Sequence, residues 1–453
     1  MPHVKALSIL TSLVALGLIG SCQHHRATTA QAPPPAAIKP APQQADTEST
    51  LTARRGPLVQ TYSTEPDLRI RIGRAQTEAM FGLGGSVRVG PGYGDLGKAR
   101  PYTFQAPLRV AHDKQGFVLT EPNGKRIRWR LSTLEIISNV GRLTVGEHPY
   151  PGKLELVART DKAGRPTGEF DLVNHVGMES YLPGVLSKEL YPNWDPEAYR
   201  AQAIAARSYA IWEKNLPIRV NSHFDLEASQ ASQAYIGDKA SEKARAAVAD
   251  TTGQVLVFER RVLPAFYSSC SGGLGQDAVA AWPEKVDDLA PLRGRAHGGW
   301  GQQSSKFRWG PVTRDRDTLS KRIAAWGKVN QHACASLGRL SRVEVIANNG
   351  VGRPTRFRVT DVNGQTINMN VEDLRMATNF PANGLPAVDS SNMIYSSHAV
   401  YTVADNAVNI TGQGFGHGVG LCQFGTQHMA STGNRHEKIL AFYYPGATIR
   451  KAY

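Results

Sequence analysis

An α+β fold is the class the sequence predicts, and three observations predict it. Helical periodicity is concentrated in one stretch, residues 181–212. Alternating strand patterns with Asn-Gly turns occur both before and after that stretch, and they do not alternate with helices in the regular way that builds a parallel α/β sheet. A length of 453 residues leaves room for two or more units with their own cores.

At the N-terminus Lys5 opens a short basic region, SILTSLVALGLIG supplies an apolar stretch, and small residues precede Cys22. Residues 1–22 therefore read as a signal peptide, with an apolar run shorter than a membrane-spanning helix needs. Residues 23–55 are rich in Pro, Ala, Gln and Thr without apolar periodicity and are expected to be a disordered or polyproline-like tether. Residues 56–165 read as a β-rich accessory domain. FVLTEPNGKRIRW alternates around Asn123-Gly124, a hairpin signal, and KLELVART and EFDLVNHV continue the pattern, while GLGGSVRVGPGYGD reads as turns. No catalytic cluster falls in this unit, whose expected job is to support the second one or extend its cleft. Residues 166–453 form that second unit, in which FRVTDVNGQTINMN repeats the hairpin signal at Asn363-Gly364.

The helical stretch carries the chemistry. Asp195 can cap a helix whose first position is Pro196 and whose first turn holds Glu197, where the macrodipole favours negative charge. Along it Ala201, Ile204, Ala205, Ser208 and Trp212 share one face, mostly of small side chains that let another backbone come close. Upstream, Leu182, Val185, Leu186 and Glu189 fall on helical spacing, so a short helix there aims one carboxylate along its own apolar stripe before Pro192 ends it. An acid on an apolar surface has its charged form disfavoured, which suits it to donating a proton near neutral pH. The same spacing is compatible with a structural carboxylate paired to Lys188, Arg200 or Arg207. Arg207, Gln202 and Tyr209 are further candidates on the second helix: the guanidinium can hold Glu189 or a substrate carboxylate, and the phenol can stack on a sugar. Each also has a plain reading as a helix-surface or core-edge residue. Glycines at 412, 414, 416, 418, 420 and 425 announce positive-φ or close-approach backbone around His417 and Gln423, which can contact substrate or satisfy the loop itself. Without a βαβ unit this is no dinucleotide fingerprint.

YLPGVLSKEL followed by EAYRAQAIAARSYA resembles the core signature of the SpoIID/LytB family of bacterial cell-wall proteins. GQGFGHGVGLCQFGTQHMA resembles the closing motif of the same family, AFYYPGATI the segment after it, and AFYSSCSGG its small-residue stretch. SRVEVIANNGVGRPTRFRV with the later DLR resembles its strand-rich part. The likeness runs from about Phe170 to Tyr453. It implies a peptidoglycan lytic transglycosylase, some members being described instead as enhancers of a cell-wall amidase. The family's catalytic glutamate maps onto Glu189, as single general acid and base, and its A-A-R-[TS]-Y-A segment supports a site role for Arg207. A mechanism in which the sugar's own hydroxyl replaces water needs one carboxylate where ordinary glycoside hydrolysis uses two, for which Asp195, Asp225 and Glu227 are the nearby candidates. Some members hold zinc near the small-residue stretch; here that stretch offers Cys270 without a nearby histidine, so neither metal nor cofactor is expected.

The ending L-I-G-S-C resembles a bacterial lipobox, which makes Cys22 the expected lipidation site and the protein an exported, membrane-anchored lipoprotein facing the cell wall or periplasm. Cys270, Cys334 and Cys422 then remain, an odd number whose pairing the sequence leaves open, Cys270 with Cys334 being favoured. The net charge of +14 favours polyanions. Its basic residues are scattered without an aromatic-plus-basic motif, so the expected partner is peptidoglycan, not nucleic acid, with a cell-wall amidase as a possible second partner. Three readings stand: a lytic transglycosylase, a noncatalytic amidase enhancer on the same scaffold, and a two-carboxylate hydrolase.

Overall fold

The computed structural model describes residues 48–59, 62–138 and 142–453. The expected signal peptide, Cys22 and most of the expected tether lie outside the described residues. The end of that tether differs from the expectation: Glu48–Arg55 is a helix. So short a helix is marginal alone, and tertiary partners hold it. Trp212 Nε1 donates to the Ala53 carbonyl at 3.0 Å, Arg54 and Arg55 pair with Asp287 at 2.7 and 2.6 Å, and Arg261 pairs with Glu48 at 2.9 Å.

Both helices and strands are present and most strand pairings are antiparallel, which makes the fold α+β. Residues 67–177 supply most of two sheets. In the first, the order is Leu226–Glu227, Asp67–Gln76, Pro166–Gly177, Lys153–Thr160, Thr133–Ser138, Ser86–Pro91, Tyr102–Gln105. In the second it is His148–Pro151, Arg142–Val145, Glu78–Phe81, Leu108–Asp113, Gly116–Thr120, Arg126–Trp129. Inward side chains of both, among them Phe81, Phe104, Phe117, Leu134, Leu156 and Phe170, make one core. The Asn123-Gly124 signal is a hairpin between Gly116–Thr120 and Arg126–Trp129, with Gly124 at φ +85°. The long strand Pro166–Gly177 is buried continuously from Phe170 to Asn174 and pairs on both edges. Its Phe170 and Leu172 enter the sheet core, whereas Val176 and the following Met178 enter the next one.

That strand runs directly into the helix Met178–Glu189, followed after a short turn by Pro196–Lys214. Leu182, Val185 and Leu186 are fully buried, each worth about 1.5–3 kcal/mol of burial, so the apolar stripe fixes the roll of the first helix. The second starts as read from the sequence: the Asp195 carboxylate accepts from Glu197 N–H at 2.8 Å, with Pro196 at the first position. Its burial is wider than the one face expected. Ala198, Ala201, Ile204, Ala205 and Trp212 pack toward one core, and Tyr199, Ala203, Ala206, Ala210 and Ile211 toward another. Alanines on both sides let a single helix serve two cores at close approach.

The last third adds a further core. Helices Arg316–Asn330 and Val371–Thr378 pack on two three-stranded sheets, one of them Leu340–Asn348, Pro354–Asp361 and Thr366–Asn370. The Asn363-Gly364 signal is the hairpin within that sheet. The chain then returns: Leu421–Cys422 pairs in parallel with Tyr267–Ser268, and helix Gln423–Ser431 seats against Pro196–Lys214, the Gln427 amide oxygen accepting from Asp195 N–H at 2.7 Å. Among the described residues no helix is long and apolar enough to cross a membrane.

Candidate functional site

Glu189 ends its helix, the carbonyl of Leu186 being taken by Leu190 N–H at 3.0 Å, and its side chain continues the buried stripe of Leu182, Val185 and Leu186. Two donors reach the carboxylate. Gln423 Nε2 donates to Oε2 at 3.0 Å and Ala234 N–H to Oε1 at 3.4 Å. Burial raises the pKa of Glu189 above its ordinary value, against the opposing pull of those two hydrogen bonds and of the Lys188 charge. The result is a shielded acid that holds a proton more tightly than a surface glutamate.

Around it lies a connected polar set. The Tyr181 hydroxyl donates to Gln233 Oε1 at 3.2 Å, and Gln233 Nε2 donates to the Tyr267 hydroxyl at 3.1 Å and to the Ala206 carbonyl at 3.1 Å. Both phenols have pKa values pushed well above the ordinary range, by burial first and by the nearby Glu189 charge in addition, so they stay neutral donors. Close by, Tyr191, Trp194 and Phe424 form an aromatic trio, with ring centroids 5.1 to 5.9 Å apart. Trp194 is buried, but Tyr191, two residues after Glu189, is 56% exposed. An exposed ring backed by two others is a ready stacking surface for a sugar.

The candidate residues separate into those the fold brings to Glu189 and those it does not. Gln423 is brought there, though it contacts the acid itself where a substrate contact was expected. Its position follows from Cys422, whose sulfur caps the helix Gln423–Ser431 by accepting from Gly425 N–H at 3.3 Å. Arg207 corrects the expectation. It is fully buried and grips Glu179, Nε to Oε1 at 2.9 Å and Nη2 to Oε2 at 2.7 Å, with Nη1 on the Gln254 carbonyl at 3.0 Å. Neither it nor Arg200, which pairs with Glu197 and Asp250, touches Glu189. Gln202 is also fully buried, its amide without a hydrogen-bond partner among the described residues. Tyr209 lies in an aromatic cluster with Trp212, Phe266 and Tyr267, and its hydroxyl interacts with Glu213. His417 accepts from Val419 N–H through Nδ1 at 3.0 Å and packs edge-on against Trp282; burial lowers its pKa to about 4, so it is neutral and satisfies its own loop. The glycines around it behave as read: Gly414, Gly416, Gly418 and Gly420 all have positive φ, and a Cβ on Gly425 would lie 2.0 Å from the Tyr443 hydroxyl.

The carboxylates considered for a two-acid site are otherwise engaged. Asp195 caps a helix, Asp225 pairs with Arg69 and Lys214, and Glu227 pairs with Arg71. Sequence reasoning missed Gln233 and Tyr267, whose roles come from tertiary approach alone, and Glu213. That carboxylate is buried one turn after Tyr209, accepts from Ser232 and Arg219, and has its pKa raised by burial. A trio able to approach a metal, Glu197, His436 and Glu437, is already tied by a 2.6 Å contact from His436 Nδ1 to Glu197 and by Arg200. Cys270 faces Cys422, not Cys334, which sits in the core of the last third.

Residues 167–258, which contain Glu189, Arg207 and Gln233, match the family described as Stage II sporulation protein. The chain carries a SpoIID/LytB-family domain. Residues 292–420 match a domain of unknown function. Among its relatives is a Stage II sporulation protein D of Bacillus subtilis (strain 168), 25% identical over 294 residues, 62% of this chain and 76% of that protein. The amidase enhancer of the same organism is 24% identical over 290 residues, 59% of this chain but only 40% of the enhancer's length. An uncharacterized protein of Brachyspira hyodysenteriae is 27% identical over 282 residues, 61% of this chain and 68% of that protein.

The hydrogen bond between the two motifs can be probed directly. Gln423 favours the ionised form of Glu189, so Gln423→Leu is expected to raise the acid's pKa further. A pH–rate profile checks this: the decline on the alkaline side, where the acid loses its proton, moves to higher pH.

Proposed function

We propose that the protein is a peptidoglycan lytic transglycosylase in which Glu189 is the single general acid and base. The observation that carries this reading is the contact between Glu189 and Gln423, which joins two motifs 234 residues apart at one half-buried carboxyl of raised pKa. In this reading the protonated carboxyl gives its proton to the glycosidic oxygen between muramic acid and glucosamine, and the C1–O bond breaks. The muramic C6 hydroxyl then bonds to C1 and returns its proton to Glu189, leaving an anhydro-muramic end and consuming no water. Tyr181 and Tyr267 stay neutral beside it, tied to each other through Gln233. Tyr191 offers a stacking surface next to it. The site's natural setting in this proposal is outside the cytoplasmic membrane, with Cys22 as lipid anchor.

A second reading, a noncatalytic wall binder that enhances an amidase, draws support from the amidase enhancer among the relatives. Purified protein incubated with peptide-stripped glycan strands, followed by mass spectrometry of the products, separates the readings. Anhydro-muramic ends are the expected result. Reducing ends would point to a two-carboxylate hydrolase, and intact strands with retained binding to the enhancer.

A further inference from the structure

We propose that Cys270 and Cys422 form a disulfide in the mature protein, a cross-link between the small-residue stretch and the closing motif. The proposal stands on the geometry of the thiols and does not depend on the catalytic reading above.

The two cysteines are brought together by backbone pairing on both sides. Tyr267–Ser268 runs parallel to Leu421–Cys422, and just beyond, Cys270 exchanges both backbone hydrogen bonds with Phe415, at 3.0 and 2.7 Å. The side chains converge in the interior, where both residues are fully buried and both sulfurs border Gly301. Adjacent amides hold them: Ser271 N–H donates to Cys422 Sγ at 3.4 Å and Gly272 N–H to Cys270 Sγ at 3.4 Å. A side chain on Gly301 would have its Cβ 3.3 Å from one sulfur and 3.6 Å from the other, so a glycine there keeps the space around the pair clear.

The pair is chemically asymmetric in the way thiol oxidation requires. Cys422 caps the helix Gln423–Ser431 and collects N–H donors from Ser271 and Gly425, at 3.4 and 3.3 Å, which favour a thiolate there. The neighbouring Cys270 thiol draws its pKa down to about 7, while Cys270 itself is pushed up by that contact and by burial. The oxidant is a donor disulfide of the kind carried by thiol–disulfide exchange proteins. Cys422 thiolate attacks one donor sulfur, forming a mixed disulfide and releasing one donor thiolate. Cys270 then loses its proton and attacks Cys422 Sγ, releasing the second. Two protein thiols thereby lose two protons and two electrons, and the donor disulfide becomes two thiols. Both sulfurs are shut away in the folded protein, so the donor disulfide reaches Cys422 through a local opening that leaves the cap of Gln423–Ser431 in place.

A metal needs three or four ligands, and among the described residues no third ligand atom gathers with the two sulfurs; His297 Nδ1 is engaged by the Ser271 hydroxyl at 2.8 Å. Two sulfurs without that nitrogen suit a covalent bond better than an ion. Cys334 is held elsewhere, its thiol directed at the Ile323 carbonyl at 3.6 Å. The bond would close the chain from Cys270 to Cys422 into one loop. That loop contains the whole 292–420 segment and ends one residue before Gln423.

The test uses the full chain made in an oxidising compartment, unfolded in denaturant with an alkylating maleimide and no reductant, then mapped by mass spectrometry. The expected map joins the peptides of Cys270 and Cys422 and shows Cys334 alkylated; treatment with a phosphine before alkylation separates the pair. Cys334→Ser should leave the linked peptides unchanged, and Cys270→Ser should render Cys422 alkylatable. Alkylation of both Cys270 and Cys422 in the unreduced chain, a link to Cys334, or release of a metal ion on alkylation overturns the proposal. The map of the unmutated chain decides the matter even if a serine variant fails to fold.

Discussion

Glu189→Gln is expected to lower glycan cleavage by about 10²–10⁴-fold while leaving the fold and strand binding in place. The amide oxygen can still accept from Gln423, so the substitution removes the proton and little else. Stability supplies an independent readout. The folded pKa of Glu189 lies above its ordinary 4.5, so the stability linked to its proton is complete below about pH 4.5 and is lost as pH rises through the folded value. Glutamine never ionises. The variant should therefore gain stability relative to the unmutated chain as pH increases, measured as the difference in Tm between about pH 4 and about pH 8. Undiminished cleavage would remove Glu189 from the mechanism; a Tm difference that shrinks with rising pH would contradict its shielding.

The second large effect is structural. Glu179→Gln leaves the Arg207 cation without a counter-charge in a fully buried position, and a cost of about 3–5 kcal/mol in unfolding free energy is expected from urea denaturation. Glu179 also accepts from Gly253 N–H at 3.1 Å and from the Tyr453 hydroxyl, so the pair ties the helices Met178–Glu189 and Pro196–Lys214 to the C-terminal end of the chain. Activity per folded molecule, by contrast, should be near normal, because neither residue contacts Glu189. A loss within about 1 kcal/mol would show that the pair is not structural, and a normal fold with abolished turnover would return Arg207 to the reaction.

Local signals were legible where local physics decides. Asp195 and Pro196 marked a helix start, Asn123-Gly124 and Asn363-Gly364 marked hairpins, and the stripe ending at Glu189 marked a buried acid. Arg207 was misread because its partner lies 28 residues earlier and nothing in the helix itself distinguishes a buried guanidinium from one aimed at a cleft. Gln233 and Tyr267 were invisible for the same reason: each matters through a side chain that arrives from another element. The helix Glu48–Arg55 was read as tether because its stability comes from Asp287, Trp212 and Arg261, none of them near it in sequence.

The strand Pro166–Gly177 has a consequence for how the protein can be divided. A fragment that starts at residue 166 would keep the site but lose Lys153–Thr160 and Asp67–Gln76, the neighbours on both edges of that strand. Twelve residues of unpaired N–H and C=O groups, with Phe170 and Leu172 laid bare, are a template for edge-to-edge aggregation. The sequence likeness that begins near this strand thus marks an inherited unit that is not an autonomous folding unit. The acid-bearing helix is grafted onto a beam that these two neighbouring strands hold up.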